Sequence, residues 1–244
     1  RGTVLHHIEV LGSSDDGFEW WGGTVNSKYL VAAYCQDDSF DIDQGYRGKN
    51  QYWIVLQGTA GADHGGEIDG DLEPGNNNTP LGQWEVYNAT FVGVSGEEAF
   101  QFSDQARPRI RNSIFTGFST RIDWQADNAG ALSANDVIVQ NNIWDPGIAT
   151  LQDGDLPAGD VLFTDTSLSN LVVDPQLGPI NNGANGLLDL RPALSSPALS
   201  AANYAVPPVD GFYSAAPHIG AIGDHNWAAD WTALGSFAVF TGSG

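Results

Sequence analysis

The sequence predicts an all-β solenoid, and three observations carry that prediction. A ten-residue segment is written twice, 22 residues apart: Ser14-Asp15-Asp16-Gly17-Phe18-Glu19-Trp20-Trp21-Gly22-Gly23 aligns with Gln36-Asp37-Asp38-Ser39-Phe40-Asp41-Ile42-Asp43-Gln44-Gly45. The preceding apolar positions follow suit, with Ile8 falling on Leu30 and Val10 on Ala32. A fixed period of this size marks coils that each rest on the last. Short runs rich in β-branched and aromatic residues, bounded by Gly, Asn, Asp and Ser, recur in pairs. Sustained period-3.6 patterning is absent, and 30 Gly and 12 Pro interrupt most windows.

Each coil is expected to hold two β runs. The first runs are Leu5–Leu11, Lys28–Tyr34, Gln51–Gln57, Trp84–Val94, Arg109–Phe118 and Asp136–Trp144. The second runs cover 18–21, 40–43, 66–69, 100–103 and 121–124. Alternation turns Phe18, Trp20, Phe40, Ile42, Ile68, Phe100 and Phe102 inward. It turns Glu19, Trp21, Asp41, Asp43, Glu67, Asp69, Gln101 and Ser103 outward. Asn88, Asn112 and Asn141 sit in one recurring pattern. Asn tolerates left-handed backbone at a bend, and its amide is expected to bond the matching Asn of the next coil. Insertions are expected at 58–82 and 145–160. Residues 1–169 are read as coils and 170–244 as an irregular, Pro-punctuated closing segment, the whole forming one domain. Trp227 and Trp231 suit an aromatic cap over an open end.

Composition narrows the partners. Nine Lys+Arg stand against 30 Asp+Glu, a net charge of −21. Such a surface repels nucleic acid, anionic membranes and polyanionic sugars at long range, and suits cations, neutral glycans or a salty medium. Solubility alone would also account for it. No apolar run approaches the ~20 residues that span a membrane. The lone cysteine, Cys35, follows an apolar run and reads as a buried, inert thiol. Low Lys, abundant Gly, Asn, Asp and Thr, and many Trp and Tyr resemble bacterial exported proteins, so an extracellular or cell-surface location is expected. The chain opens at Arg1 in mid-pattern, as a processed product or a piece of a longer parent would. An uncovered coil there invites end-to-end stacking of copies, or contact with other domains of a parent.

The repeats resemble right-handed parallel β-helix proteins of the pectin-lyase-like architecture. Asp37-Asp38-Ser39-Phe40-Asp41-Ile42-Asp43-Gln44-Gly45-Tyr46-Arg47-Gly48 is similar to a stretch recurring in uncharacterised bacterial exported and surface β-helix proteins. Asp174-Pro175-Gln176-Leu177, Leu188–Pro192 and Ser196-Pro197-Ala198 resemble the closing segment of many β-helix proteins. Ile219–Gly223 with Trp227 and Trp231-Thr232 resembles the tail of the same group. The resemblance implies the fold and carries no activity over. Characterised lyases of this architecture add basic residues beside calcium-binding Asp, and this sequence is poor in them.

The sharpest chemical feature is a stacked acidic column. Coils of a parallel sheet lie ~4.8 Å apart. Glu19, Asp41 and Glu67 are expected to stack, as are Asp43 and Asp69. Two like charges at that spacing repel by roughly 3.5 kcal/mol at an effective dielectric near 20, and by roughly 1 kcal/mol in water. Solvation, a bridging hard cation, or a retained proton would each relieve the repulsion. Oxygen ligands in this number suit calcium. Asp15, Asp16, Asp37 and Asp38, at the preceding turns, would add ligands or cap turn amides. His64, beside Asp63 and Glu67, offers a weaker transition-metal set. Trp21, Tyr46 and Trp53 are candidate glycan platforms, with packing under the 58–82 loop as the alternative. Arg47 is expected to pair with the acidic column or to neutralise a substrate carboxylate.

Two function classes follow. One is an acidic binding or structural protein that holds cations, with glycans or its own copies as partners. The other is a carbohydrate-active enzyme working through Asp41, Asp43, Glu67 or Asp69, where the separation of the acting pair decides inversion or retention. The first is preferred, because the acids look like a repeat feature rather than a pair set apart from its repeat. Nucleophile elbows and phosphate loops are absent from the sequence.

Overall fold

The computed structural model describes residues 3–70, 79–125, 128, 136–151, 161–181 and 187–240. The chain opens with β1 (Leu5–Leu11), β2 (Phe18–Trp21), β3 (Ser27–Ala33) and β4 (Phe40–Asp43). It continues with β5 (Lys49–Leu56), β6 (Glu67–Asp69), β7 (Glu85–Val92) and β8 (Glu98–Ser103). Then come β9 (Arg109–Arg111), β10 (Ile114–Thr116), β11 (Thr120–Trp124), β12 (Ile138–Gln140), β13 (Ile143–Trp144), β14 (Ala149–Leu151) and β15 (Leu171–Val172). Parts of both expected insertions, 71–78 and 152–160, lie outside the described residues.

The strands form two sheets visited alternately. One runs β1-β3-β5-β7-β10-β13-β15, with β9 and β12 beside it, and the other runs β2-β4-β6-β8-β11-β14. Every named strand pair is parallel. Returning to the same sheet once per coil in parallel register is the winding that the 22-residue repeat demands. Between the sheets lies a core of large rings. Phe40 stacks on Trp53 at 4.1 Å, and Trp20 lies over both Tyr46 and Trp53.

The first sheet bends along one column. His7, Tyr29, Tyr52, Asn88, Asn112, Asn141 and Ser169 all take left-handed backbone, with φ between 53° and 63°. They lie opposite one another between registered neighbours such as Lys28↔Gln51 and Leu30↔Trp53. Asparagine was expected here for that backbone and has it. Its amide behaves differently from the expectation. Instead of bonding the next asparagine, Asn88 donates to His218 O at 2.8 Å, Asn112 to Ala205 O at 2.7 Å and Asn141 to Asn203 O at 2.9 Å. The asparagine ladder itself lies one residue on, where Asn142 donates to Asn170 at 3.2 Å.

Those carbonyls belong to the C-terminal segment, which runs along the outside of the first sheet. Past the bend, both faces of that sheet are buried. Val31, Ala33, Ile54, Leu56 and Val92 pack outward against Leu188, Leu190, Ile222, Leu234 and Phe240. Trp231 meets His7 edge-on and Trp227 meets Tyr29. The aromatic tail thus covers a side of the winding rather than its open end. The reason is visible in Val31-Ala32-Ala33 and Ile54-Val55-Leu56, continuous apolar runs that need cover on both faces. Among the described residues, no helix is long and apolar enough to cross a membrane.

Candidate functional site

Among the described residues, the outer face of the second sheet has no such apolar cover, and it carries the acids. Register pairs Glu19 with Asp41, Asp41 with Glu67, and Glu67 with Gln101. Asp123 follows Gln101, so one column reads Glu-Asp-Glu-Gln-Asp. Beside it, Trp21 pairs with Asp43, and Asp69 with Ser103. The expected stacking of Glu19, Asp41 and Glu67 is present. Asp43 and Asp69 share a side-chain hydrogen bond.

A further level lies at the turns before these strands. Asp16 Oδ1 accepts the Asp38 backbone N–H at 3.1 Å, and Asp38 Oδ1 accepts that of His64 at 2.8 Å. These bonds do not cap their own turns as expected; they tie each turn to the next, 22 and 26 residues on, and repeat from coil to coil. They also align side chains. Asp38 is buried, and its Oδ1 lies 2.9 Å from His64 Nδ1. His64 Nε2 in turn lies 3.3 Å from Gln101 Nε2, which donates to Glu67 Oε1 at 3.0 Å. Gln125 extends the chain, donating to Gln101 at 3.0 Å and to Asp123 at 2.8 Å.

Ligand-bearing atoms converge in four groups, each with its atoms within 4.8 Å of one another: Asp15, Asp16 and Asp37; Asp16, Glu19 and Asp41; Asp38, His64 and Glu67; Asp63, His64 and Glu98. Asp43 and Asp69 fall outside these groups. Crowding shows in proton affinities. Burial, then the charges of Asp43, Asp16 and Glu67, push Asp41 up to about 9. Burial and Asp69 bring Asp43 to about 6, and burial and Asp38 bring Asp16 to about 6. Burial and the Asp38 carboxylate hold Glu67 well above the usual carboxylate range. Burial disfavours the His64 imidazolium, but the bond to Asp38 and the nearby Asp63 and Glu67 outweigh it and raise His64 to about 9.

The expected aromatic platforms divide. Trp21 is exposed and its indole N–H reaches Glu19, so it stands on the acidic wall. Tyr46 and Trp53 do not; both are buried. Tyr46 donates its hydroxyl to Val25 O at 2.6 Å, and Trp53 donates its indole N–H to Ser27 Oγ at 2.9 Å. Arg47 is exposed but off the acidic column, and makes no ion pair among the described residues. Cys35 is buried, and burial raises its thiol further. Gln101, Gln125 and Glu98 were not singled out as site residues. Their signal was the register itself, since Gln101 occupies the slot of Glu67 one coil on.

The family model for the pectate-lyase-like β-helix domain matches residues 1–169. The chain belongs to this family. No curated protein and no solved structure matches it. The matched span of this β-helix contains the whole acidic wall.

Proposed function

We propose that this β-helix is an acidic binding protein whose uncovered sheet holds a hard divalent cation, calcium, on Asp16, Glu19 and Asp41. One observation carries the reading: three carboxylates, Asp16 and Glu19 of one coil and Asp41 of the next, offer ligand atoms within 4.8 Å of one another, with no cationic side chain among them. Something must neutralise such a group, a proton or a cation. Oxygen-only donors of this kind suit calcium. Asp15 and Asp37 extend the donor set at the turn above. Trp21 beside the cation gives a glycan a flat apolar face next to polar partners. An extracellular or cell-surface setting, where calcium is abundant, belongs to this proposal. So does end-to-end stacking: β1 and β2 are edge strands with one described partner each.

The test is thermal melting with calcium and with chelator, for the parent and for an Asp41→Asn/Asp43→Asn variant, beside a polysaccharide hydrolysis panel. Calcium should raise the parent's melting temperature and leave the variant unmoved, with no sugar released by either. Because Asp41 holds its proton to about pH 9 without a cation, calcium binding at pH 7 should release protons and tighten as pH rises. Sugar release by the parent that vanishes in the variant would establish the second reading, an enzyme. That reading is favoured by Asp41 and Glu67, whose carboxyls hold protons as a general acid must. Carboxylates one ladder step apart are closer than the roughly 6.5–9.5 Å of inverting pairs, so such an enzyme would retain configuration. Single particles at high concentration in electron micrographs would end the stacking proposal.

A further inference from the structure

The nine Lys+Arg of this acidic chain are not scattered. Lys28, Arg47, Lys49, Arg107, Arg109 and Arg111 lie within two residues of the starts of β3, β5 and β9. Register sets Lys49 and Arg109 on either side of Glu85, which pairs with both. Three are already neutralised, Arg107 by Asp136, Arg111 by Glu85 and Lys49 by Asp210. Arg47 is not. Its Nε donates to Gly45 O at 3.3 Å, and its two Nη groups have no partner among the described residues.

Arg47 borders an open cavity of about 690 Å³ lined by Thr3, Thr24, Val25, Asn26, Arg47 and Lys49. In a chain with 30 acidic residues, none lines this cavity. Its wall is built rather than incidental. Alternation along Tyr46-Arg47-Gly48-Lys49-Asn50 buries Tyr46, Gly48 and Asn50 and turns Arg47 and Lys49 out. The Tyr46 hydroxyl crosses Gly48 to reach Val25 O at 2.6 Å and Asn50 Oδ1 at 2.9 Å. A Cβ on Gly48 would lie 1.9 Å from that hydroxyl, so only glycine fits. The Arg47 N–H donates to Gly23 O at 2.9 Å and the Lys49 N–H to Asn26 Oδ1 at 2.9 Å. Gly23 O, Val25 O and Asn26 Oδ1 are thus spent on the next coil. The polar side chains that line the cavity are the Arg47 guanidinium fork, the Lys49 ammonium, one of whose N–H groups is held by Asp210, the Asn26 amide and the Thr3 and Thr24 hydroxyls.

We propose that this cavity binds a tetrahedral oxyanion, a phosphate or sulfate ester carried on a sugar-sized molecule. A planar carboxylate would use the Arg47 fork and leave the other donors idle. A tetrahedral ester offers three terminal oxygens in different directions, and Arg and Lys together match it. The volume falls within the usual range for small-molecule sites. The acidic wall contributes no residue to the cavity's lining, and salt weakens the field of its solvent-exposed charges.

The experiment is calorimetric titration of the full chain at physiological salt with chelator present, which removes any cation bridging an anion to the acidic wall. The ligands are glucose 6-phosphate, glucose 6-sulfate, glucuronate and glucose. One or both esters should bind with Kd of about 1 mM or tighter, and whichever binds better identifies the source. Glucuronate should bind more weakly, and glucose not at all. Arg47→Ala, an exposed change that leaves melting unaltered, should weaken ester binding about tenfold, and Arg47→Lys should restore only part of it. Equal binding of glucose, absence of ester binding, or indifference to Arg47→Ala would overturn the assignment.

Discussion

The two sheets of this β-helix present opposite outer faces, although one winding makes both. Past its bend, the first sheet turns Val31, Ile54, Leu56 and Val92 outward, and the C-terminal segment buries them. The second turns out Glu19, Asp41 and Glu67, which nothing among the described residues covers with apolar surface. On the first face, polar groups are clamps, satisfied by partners fixed in space. On the second they are crowded, and satisfy one another poorly. Removing a polar group should therefore destabilise the first face and stabilise the second.

Asn112→Ala gives the largest effect. The side chain is buried, donates to Ala205 O at 2.7 Å and accepts the Ala205 N–H at 2.8 Å. It also holds left-handed backbone, φ 53°, which alanine tolerates less well. Two broken bonds with partly buried partners, plus the backbone cost, sum to about 3 kcal/mol. Denaturant unfolding should show that loss. A change below about 0.5 kcal/mol would mean that the C-terminal segment is held by its apolar contacts alone.

Asp41→Asn should act with the opposite sign. Burial and neighbouring carboxylates raise Asp41 from the ordinary 3.8 to about 9. The folded state therefore binds more protons than the unfolded one between these values, and stability falls as pH rises from about 4 to 9. Asp16, Asp43, Glu67 and His64 are raised too and add to the same slope. In chelator, the variant should melt like the parent near pH 4 and above it at pH 9. Calcium should flatten the parent's slope. A parent that grows more stable between pH 5 and 9 in chelator would contradict the crowding.

Much of this was legible in the sequence. The Asp-Asp-x-Phe pattern shared by 14–23 and 36–45 set Glu19 opposite Asp41, and the acids of β6 followed. Tyr46 shares the inward side of Asn50 by plain alternation, whereas Trp53 was misplaced for a geometric reason. Asn50 points inward, and strict alternation from it would turn Trp53 out. The left-handed Tyr52 uses up one position without reversing the side, so Trp53 and Val55 return to the core. Nothing local in Lys49-Asn50-Gln51-Tyr52-Trp53 announces that bend, because tyrosine is an uncommon choice for it. The asparagine column was found, but its partners lie 62 to 130 residues downstream, beyond the reach of any repeat pattern. His64 fell between the two, since its turn follows a longer coil than the 22-residue period.

The smallest effect should come from the ion pair that, among the described residues, joins the C-terminal segment to the basic corner. Lys49 reaches Asp210 and, with the backbone N–H groups of Phe212 and Tyr213, draws that carboxyl down to about 2. The shift looks large, yet the pair stands in solvent, with the Lys49 side chain 46% exposed. Water and salt screen such a pair, and fixing a long lysine costs entropy. Asp210→Asn keeps the turn geometry and should change stability by no more than about 0.5 kcal/mol, less still in high salt. If it instead matched Asn112→Ala, the first face would be held by charge as much as by burial and amide clamps, and the contrast between the two sheets would narrow to the presence of counter-charge.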